Sequence, residues 1–228
     1  MGATQAQDFA ADRQRMLAEI DATYAVTRSE TGLAAMSPRV RAALGKVERH
    51  RLVPAGQLAQ AYRDRPLPIG AGQTISQPYI VALSTDLIAP EPHHAVLDVG
   101  TGSGYQAAVL AEIVSKVFSV EIIPSLGNEA DERLKRLGYR NIEIRIGDGY
   151  QGWPEKGPFD GIVVTAAAPE VPAALLAQLR PGGRMVIPVG AAGGVQELLL
   201  VTKAADGSVR EKRVIPVRFV PLVPGRPQ

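Results

Sequence analysis

Val96-Leu-Asp-Val-Gly-Thr-Gly-Ser-Gly-Tyr105 is the stretch of this chain that decides its fold. The mostly apolar residues 96–99 predict a buried strand. Glycines at 100, 102 and 104 predict a turn whose backbone can approach a ligand closely. The segment after Tyr105, Gln-Ala-Ala-Val-Leu-Ala-Glu-Ile, is compatible with a helix. A strand, a glycine turn and a helix in this order are typical of the first unit of a nucleotide-binding α/β sheet.

The spacing of these glycines separates two classes of cofactor. The dinucleotide fingerprint has its third glycine where Tyr105 stands, whereas this chain has Gly104 instead. The spacing therefore argues against NAD and favours S-adenosylmethionine, which has no pyrophosphate to bind at the helix N-terminus. A glycine turn alone is weak evidence, so the residues at fixed distances from it matter more.

The composition is that of an ordinary globular protein. The chain has 228 residues, of which 46% are hydrophobic and 21% charged, enough for one domain with a large core. A net charge of +2 without a basic run leads us to expect no nucleic-acid partner. Without a long apolar run or a secretory-signal pattern, we expect no membrane span. Because cysteine is also absent, we expect a cytoplasmic protein.

The pattern changes near residue 92, which divides the chain into two regions. Residues 93–228 are expected to form the S-adenosylmethionine-binding domain. Helix candidates there are 104–115, 124–137 and 170–179. Strand candidates are 95–99, 117–121, 142–146, 159–164, 184–189, 196–202 and 212–220. Alternating strands and helices, followed by two strands without a helix, predict a mostly parallel, seven-stranded Rossmann-like sheet with a C-terminal antiparallel hairpin. The hairpin turn is predicted at Ala205-Asp-Gly-Ser.

Residues 1–92 are expected to be a helical and loop region that packs on this domain as one structural unit. Residues 5–50 have a helical composition with a break at Ser37-Pro38, where Ser37 can cap a helix that begins at Pro38. The proline- and glycine-rich residues 51–92 predict connecting loops, with one helix from about residue 77 to 88.

Two acidic residues follow strands at the predicted edge of the sheet. Glu121 lies 21 residues after Gly100, and in a right-handed strand–helix–strand unit it comes beside the glycine turn. Its carboxylate can accept both hydroxyls of a ribose; the alternative is a solvated strand-end glutamate. Asp148, between Gly147 and Gly149, can accept from the exocyclic amine of adenine; the alternative is an ordinary Asp-Gly turn.

Two segments of small and hydroxyl residues are further candidates. Thr165-Ala-Ala-Ala follows a strand and leaves room for a ligand, although a tight strand-to-helix connection explains it equally well. In Gly70-Ala-Gly-Gln-Thr-Ile-Ser-Gln-Pro-Tyr, we expect the hydroxyl of Thr74 or Ser76 to cap the following helix. The alternative is a loop over the glycine turn that presents Ser76 to a substrate.

Metal and thiol chemistry are not expected. His50, His93 and His94 lack metal-ligand spacing with acids, and we expect all three at the surface. The chain has no cysteine, so it offers no thiolate nucleophile.

Over about residues 38–224, the chain resembles the bacterial protein-L-isoaspartate O-methyltransferases. The motifs that carry the resemblance are Val47-Glu-Arg-His-Arg-Leu-Val-Pro, Pro66-Leu-Pro-Ile-Gly, Gly72-Gln-Thr-Ile-Ser-Gln-Pro-Tyr, Leu97-Asp-Val-Gly-Thr-Gly-Ser-Gly-Tyr, Gly147-Asp-Gly-Tyr, Phe159-Asp-Gly-Ile-Val-Val-Thr and Val217-Arg-Phe-Val-Pro-Leu. The glycine motif alone marks only a class I methyltransferase. The Gln-Thr-Ile-Ser-Gln-Pro segment and the C-terminal motif are far more specific.

The resemblance implies a reaction and a set of site residues. The family transfers a methyl group from S-adenosylmethionine to the α-carboxylate of isoaspartyl residues in proteins and peptides, leaving S-adenosylhomocysteine, and so starts repair through a succinimide. It implies Ser76 as the catalytic residue. The substrate residues would be Ser76, Gln77, Pro78, Val217 and Val220. The cofactor residues would be Thr74, Ile75, Gly100, Thr101, Gly102, Gly104, Glu121, Ile122, Asp148, Gly149 and Thr165. No metal is implied.

Three other functions fit part of the sequence. A class I methyltransferase with a different carboxylate, peptide or small-molecule substrate would share the glycine turn, Glu121 and Asp148. A binding module that has lost its chemistry would not need Ser76. A nucleotide oxidoreductase is disfavoured by Tyr105.

Overall fold

A central β-sheet organises the structure, a computed structural model that describes residues 8–225. The strands are β1 (Leu67–Gly70), β2 (Gln73–Ile75), β3 (Ala95–Val99), β4 (Lys116–Glu121), β5 (Ile142–Ile146), β6 (Phe159–Val164), β7 (Leu179–Val189), β8 (Gln196–Lys203) and β9 (Val209–Val217). The helices are α1 (Phe9–Thr31), α2 (Pro38–Lys46), α3 (Pro78–Leu87), α4 (Tyr105–Ala111), α5 (Pro124–Arg136) and α6 (Ala173–Gln178). Short 3-10 helices span Arg49–Leu52, Ala55–Gln60, Gly149–Gln151 and Pro154–Lys156.

The main sheet has seven strands in the order β5-β4-β3-β6-β7-β8-β9. The first five strands of this order, β5, β4, β3, β6 and β7, pair in parallel. Strand β8 pairs antiparallel with both β7 and β9. The predicted α/β sheet with a C-terminal antiparallel hairpin is thus confirmed, as is its turn, where Ala204 N–H donates to the Ser208 carbonyl. Strand β9 ends at Val217 rather than residue 220, because Phe219 N–H donates to the side chain of Gln196 in β8 instead of to a backbone carbonyl.

The N-terminal region contains more regular structure than expected. The break between α1 and α2 is confirmed: the Ser37 hydroxyl accepts from Val40 N–H, and Pro38 begins α2. Residues 5–7 of the predicted helical segment lie outside the described residues. The expectation of plain connecting loops over 51–92 was wrong, because β1 and β2 form an antiparallel hairpin there. Its turn has left-handed backbone at Ala71 (φ +50°) and Gly72 (φ +71°).

Apolar side chains cover both faces of the main sheet, and the alternation along β3 shows how. Val96 belongs to a cluster that includes Leu44 of α2 and Leu83 of α3, whereas Leu97 belongs to a cluster on the other face with Leu175 of α6. The first cluster thus joins side chains from before and after residue 92. No helix within residues 8–225 is long and apolar enough to cross a membrane.

One expectation about exposed residues was wrong. His94 is buried, since its Nδ1 accepts from Glu91 N–H and its Nε2 lies 3.4 Å from Arg180 Nη2. The His94 ring is therefore turned inward, whereas Glu91, Pro92 and His93 before it are exposed.

Candidate functional site

The candidate site lies where the strand order reverses. From β3 the chain continues to β4 on one side, while β6 flanks β3 on the other. Such a switch point opens a crevice at the carboxyl ends of the strands. Val99 pairs with Val120 on one side and Val164 on the other, so the residues that follow these strands lie level at one edge. The register therefore brings Gly100, Glu121 and Thr165 together.

The carboxylate of Glu121 is fixed by two backbone donors. Gly102 N–H donates to Oε2 at 2.8 Å, and Ile123 N–H donates to Oε1 at 2.9 Å. The residue is only 5% exposed, so its orientation is set by these bonds. Each carboxylate oxygen has a further lone pair that can accept a ligand hydroxyl.

Glycines at this edge stand where any side chain would meet a neighbouring residue. Gly100 has φ +97°, and a Cβ there would lie 2.5 Å from Thr165 Oγ1. At Gly149 a Cβ would come 2.9 Å from Leu222 Cδ1. At Gly104 the Cβ position is likewise 2.8 Å from Leu134 Cδ1 on α5. Gly104 thus lets α5 pack closely.

Two cavities meet at this edge. The first, called the glycine-loop cavity below, is lined by the predicted residues Thr74, Ile75, Ser76, Gly100, Thr101, Gly102, Glu121, Ile122, Gly149 and Thr165, together with others that include Tyr105 and Leu222. The second, called the C-terminal cleft, has a volume of about 380 Å³ and is lined by Pro66, Thr74, Ser76, Gln77, Ile80, Thr165, Val195 and residues 216–220. The residues common to both are Thr74, Ser76, Thr165 and Val220.

Three residues implied by the resemblance line neither cavity. Gly104 packs on α5, and Pro78 is the buried first residue of α3. Asp148 lies at the same edge after β5, where its Oδ1 accepts from Tyr150 N–H at 2.8 Å and its Oδ2 from Gly225 N–H at 3.0 Å. Asp148 therefore ties the C-terminal segment across the end of the glycine-loop cavity.

The hydroxyl of Ser76 is free of the capping role expected for it. The expectation that Thr74 or Ser76 caps α3 was wrong, since Asp64 Oδ1 accepts from Tyr79 N–H at 2.8 Å in the first turn. A carboxylate is favoured there by the positive end of the helix dipole. The half-buried Ser76 hydroxyl has no hydrogen-bond partner within residues 8–225. By contrast, the Thr165 hydroxyl donates to the Val99 and Gly100 carbonyls.

A buried polar chain lies beneath the glycine turn, and sequence reasoning missed it. Asp98, fully buried at the end of β3, accepts from the Ser119 hydroxyl at 2.8 Å, and that hydroxyl lies 2.6 Å from Thr101 Oγ1. Burial raises the pKa of Asp98 to about 7; the Ser119 hydrogen bond opposes this shift and the Glu121 charge adds to it. The sequence offered a signal, because an acid two residues before a glycine turn comes at the end of the strand.

This sheet order, with its glycine turn and strand-end carboxylate at the switch point, defines a class I methyltransferase with a Rossmann-like fold. A solved protein-L-isoaspartate O-methyltransferase has a TM-score of 0.81 and 28% identity, over 94% of this chain and 67% of that one. A Plasmodium falciparum protein of the same description, in complex with S-adenosyl-L-homocysteine, has a TM-score of 0.74 and 26% identity, over 96% of this chain and 99% of that one.

Sequence relatives narrow the class to one family. The family model described as Protein-L-isoaspartate(D-aspartate) O-methyltransferase matches residues 26–227, and the chain belongs to this family. A Polaromonas sp. protein-L-isoaspartate O-methyltransferase 2 is 59% identical over 91% of this chain and 98% of its own. Its counterpart from Syntrophobacter fumaroxidans is 55% identical over 98% of this chain and 92% of its own. Among the described residues, no group of three or more acids, histidines or cysteines could hold a metal ion.

Proposed function

We propose that this chain transfers a methyl group from S-adenosylmethionine to the α-carboxylate of L-isoaspartyl residues in proteins and peptides. The glycine-loop cavity would hold the cofactor and the C-terminal cleft the substrate. One observation carries the proposal: Ser76 lines both cavities, and its hydroxyl has no partner within residues 8–225. A donor at the junction of two cavities can orient a group that must reach from one to the other.

The residues of the glycine-loop cavity fit the cofactor. Glu121 presents a fixed carboxylate that suits a ribose, and the backbone of Gly100 and Gly149, which lines the cavity without a side chain, suits close approach of a nucleoside. Asp148 already accepts two backbone N–H groups, and its remaining lone pairs can accept from an adenine amine. S-adenosylmethionine, when bound, supplies an electrophilic methyl group.

The chain's own part in the reaction is to position a carboxylate. An isoaspartyl α-carboxylate is ionised at neutral pH, because such groups titrate near pH 4, so the nucleophile needs no general base. Alignment is then the main requirement. The neutral Ser76 hydroxyl can donate to one carboxylate oxygen without the strong ion pair that would quench the other. The methyl ester would cyclise to a succinimide after release.

The C-terminal cleft suits a peptide with an anionic group. Ile80, Val217 and Phe219 give it apolar walls. Arg218 is exposed there and has no ion-pair partner within residues 8–225. Gln77 acts differently from Ser76, since its amide donates to Asp64 Oδ2 at 3.0 Å and so holds the loop in place. We propose that the partners are isoaspartyl proteins and peptides and that the compartment is the cytoplasm. Neither nucleic acid nor a membrane takes part in this proposal.

The decisive experiment compares two peptides that differ only in one linkage. The chain is incubated with methyl-labelled S-adenosylmethionine and either an isoaspartyl peptide or its aspartyl twin. We expect base-labile methyl ester on the isoaspartyl peptide alone. Equal labelling of both peptides would favour a methyltransferase for another carboxylate, and no labelling of either would favour a binding module without this chemistry.

A further inference from the structure

Arg49 is a buried cation in the loop region before the sheet. It is 0% exposed and stands at the start of the 3-10 helix Arg49–Leu52. Its guanidinium donates to three backbone carbonyls from separate segments: Ala61, Arg65 at 3.2 Å and Ser76 at 2.9 Å. None of these partners is a carboxylate, so the guanidinium serves as a fork of donors rather than as half of an ion pair.

The same guanidinium contacts Tyr105, the residue directly after the glycine turn. Its Cζ lies 5.2 Å from the centroid of the Tyr105 ring. Tyr105 is 2% exposed, begins α4 directly after Gly104, and lines the glycine-loop cavity. A planar guanidinium can stack on an aromatic ring while its edge donates to carbonyls, which a lysine ammonium cannot reproduce. Arg49 therefore joins the Ser76 segment to the helix that follows the glycine turn.

Asp64 completes the support of this segment. It accepts from the Gln77 amide and from Tyr79 N–H, while Arg49 holds the Ser76 carbonyl. The chain is thus fixed at the Ser76 carbonyl and directly after it, while the Ser76 hydroxyl itself is free. A buried charge without an ion-pair partner lowers the stability of the protein, and an apolar side chain could fill the same space. Packing alone therefore does not explain an arginine at position 49.

We infer that Arg49 is a positioning residue for methyl transfer: its guanidinium fixes the Ser76 backbone relative to the glycine turn and so sets where the Ser76 hydroxyl meets the substrate. The inference rests on the proposed function. A positioning role of Arg49 differs from a purely structural role, because its effect on methyl transfer has to pass through Ser76.

A double-mutant cycle separates these roles. Arg49→Lys is made in the native chain and in the Ser76→Ala background, and kcat and KM for an isoaspartyl peptide are measured with S-adenosylhomocysteine affinity and thermal melts. Arg39→Lys is the matched control, since Arg39 also donates to a backbone carbonyl, that of Pro90, at 2.9 Å. If Arg49→Lys does not fold, Arg49→Gln, which keeps an amide donor, replaces it in the same cycle.

We expect Arg49→Lys to lower kcat/KM about tenfold or more in the native chain, mainly through kcat, because small misplacements of a positioning group are costly. In the Ser76→Ala background the loss should shrink to less than about twofold, since interacting residues are not additive. S-adenosylhomocysteine affinity should stay unchanged, and Arg39→Lys should have no kinetic effect.

Equal losses in both backgrounds, or a parallel loss of S-adenosylhomocysteine affinity, would overturn the inference and leave the proposed function intact. If Ser76→Ala alone leaves kcat/KM unchanged, the role of Ser76 and the inference fail together. The peptide-pair assay still reports on methyl transfer independently.

Discussion

Single side chains in this site have a structural role beside the binding role that we propose for them, and Glu121 is the clearest case. Its carboxylate holds the Gly102 and Ile123 N–H groups, so the shape of the glycine turn and the proposed acceptor for a ribose depend on the same residue. Asp148, which ties down Gly225, would serve in the same way as the acceptor that we propose for the adenine amine.

Replacing Glu121 with alanine should therefore weaken cofactor binding. The substitution leaves ligand hydroxyls and two backbone donors unpaired, at a cost of about 1–3 kcal/mol, or roughly tenfold to a hundredfold in affinity. Calorimetry with S-adenosylhomocysteine measures the change. Glu129→Ala, which removes an exposed acid on α5, serves as the control and should bind normally. A folded Glu121→Ala protein with native affinity would refute the ribose assignment.

Asp98 should make stability depend on pH. Its folded-state pKa of about 7 lies above the usual unfolded value near 4, so the folded protein binds the proton more tightly. The stability that Asp98 contributes is therefore fully present below about pH 4 and is lost as pH rises to about 7. Urea unfolding at pH 5 and pH 8 should show a larger decline for the native chain than for Asp98→Asn. Parallel profiles would show that Asp98 does not titrate in this range.

Sequence reasoning found the residues whose role depends on local spacing and missed those whose role depends on distant partners. Glu121 follows from one strand–helix–strand unit. Arg49, in contrast, is a residue type that is rarely buried, and its carbonyl partners reach as far along the chain as Ser76. Nothing in the local pattern indicates that such a side chain lies inside the protein.

Among the helices, α3, which directly follows the Ser76 segment, depends on a cap from outside that segment. Asp64 supplies the acceptor for Tyr79 N–H that Thr74 and Ser76 were expected to supply. The local pattern of hydroxyls before Pro78 was misleading, because Thr74 belongs to β2 and pairs with Pro68 of β1.

Asp64→Ala should lower the free energy of unfolding by about 1 kcal/mol, the usual cost of a lost helix cap. Thr74→Ala should change stability by less than about 0.5 kcal/mol, since the Thr74 side chain is exposed. Chemical denaturation of both variants measures this difference. If Thr74→Ala lowered the free energy of unfolding more than Asp64→Ala, Thr74 and not Asp64 would be the cap of α3.

Most strands of the main sheet were predictable, because β3, β4, β6 and β8 contain apolar runs and β5 alternates apolar with charged residues. The β1–β2 hairpin was not, because its strands are short and contain Pro68. The final segment was predicted as strand through residue 220. Instead, Ala167 N–H donates to the Val220 carbonyl, so Val220 lies at the carboxyl edge of the sheet and not in β9. Such a crossing is set by tertiary contacts rather than by strand propensity.

At the scale of the whole molecule, the site is assembled from segments on both sides of residue 92. Ser76 comes from the N-terminal region, Thr165 from the end of β6 and Val220 from the segment after β9. The shared apolar cluster joins the same regions, which supports treating them as one structural unit. The sequence places each segment separately, but only the fold brings them to a common boundary.

The charge of the C-terminal cleft should influence which peptides are methylated. Arg218→Gln should raise KM several-fold for isoaspartyl peptides with an adjacent acidic residue, and the difference should disappear at high salt, because exposed charges are screened. Arg213→Gln is the control, since Arg213 is exposed on β9 but does not line the cleft. An unchanged KM for acidic peptides at low salt would remove Arg218 from substrate recognition.

Kinetics of Ser76→Ala show whether the free Ser76 hydroxyl orients the substrate carboxylate. We predict that kcat/KM for an isoaspartyl peptide falls by the equivalent of about 1–4 kcal/mol of transition-state stabilisation. The melting temperature and S-adenosylhomocysteine affinity should stay native, because this hydroxyl makes no hydrogen bond within residues 8–225. Native kcat/KM would contradict this role, as would a methylated Ser76 trapped in a single turnover, which would make the serine a covalent relay.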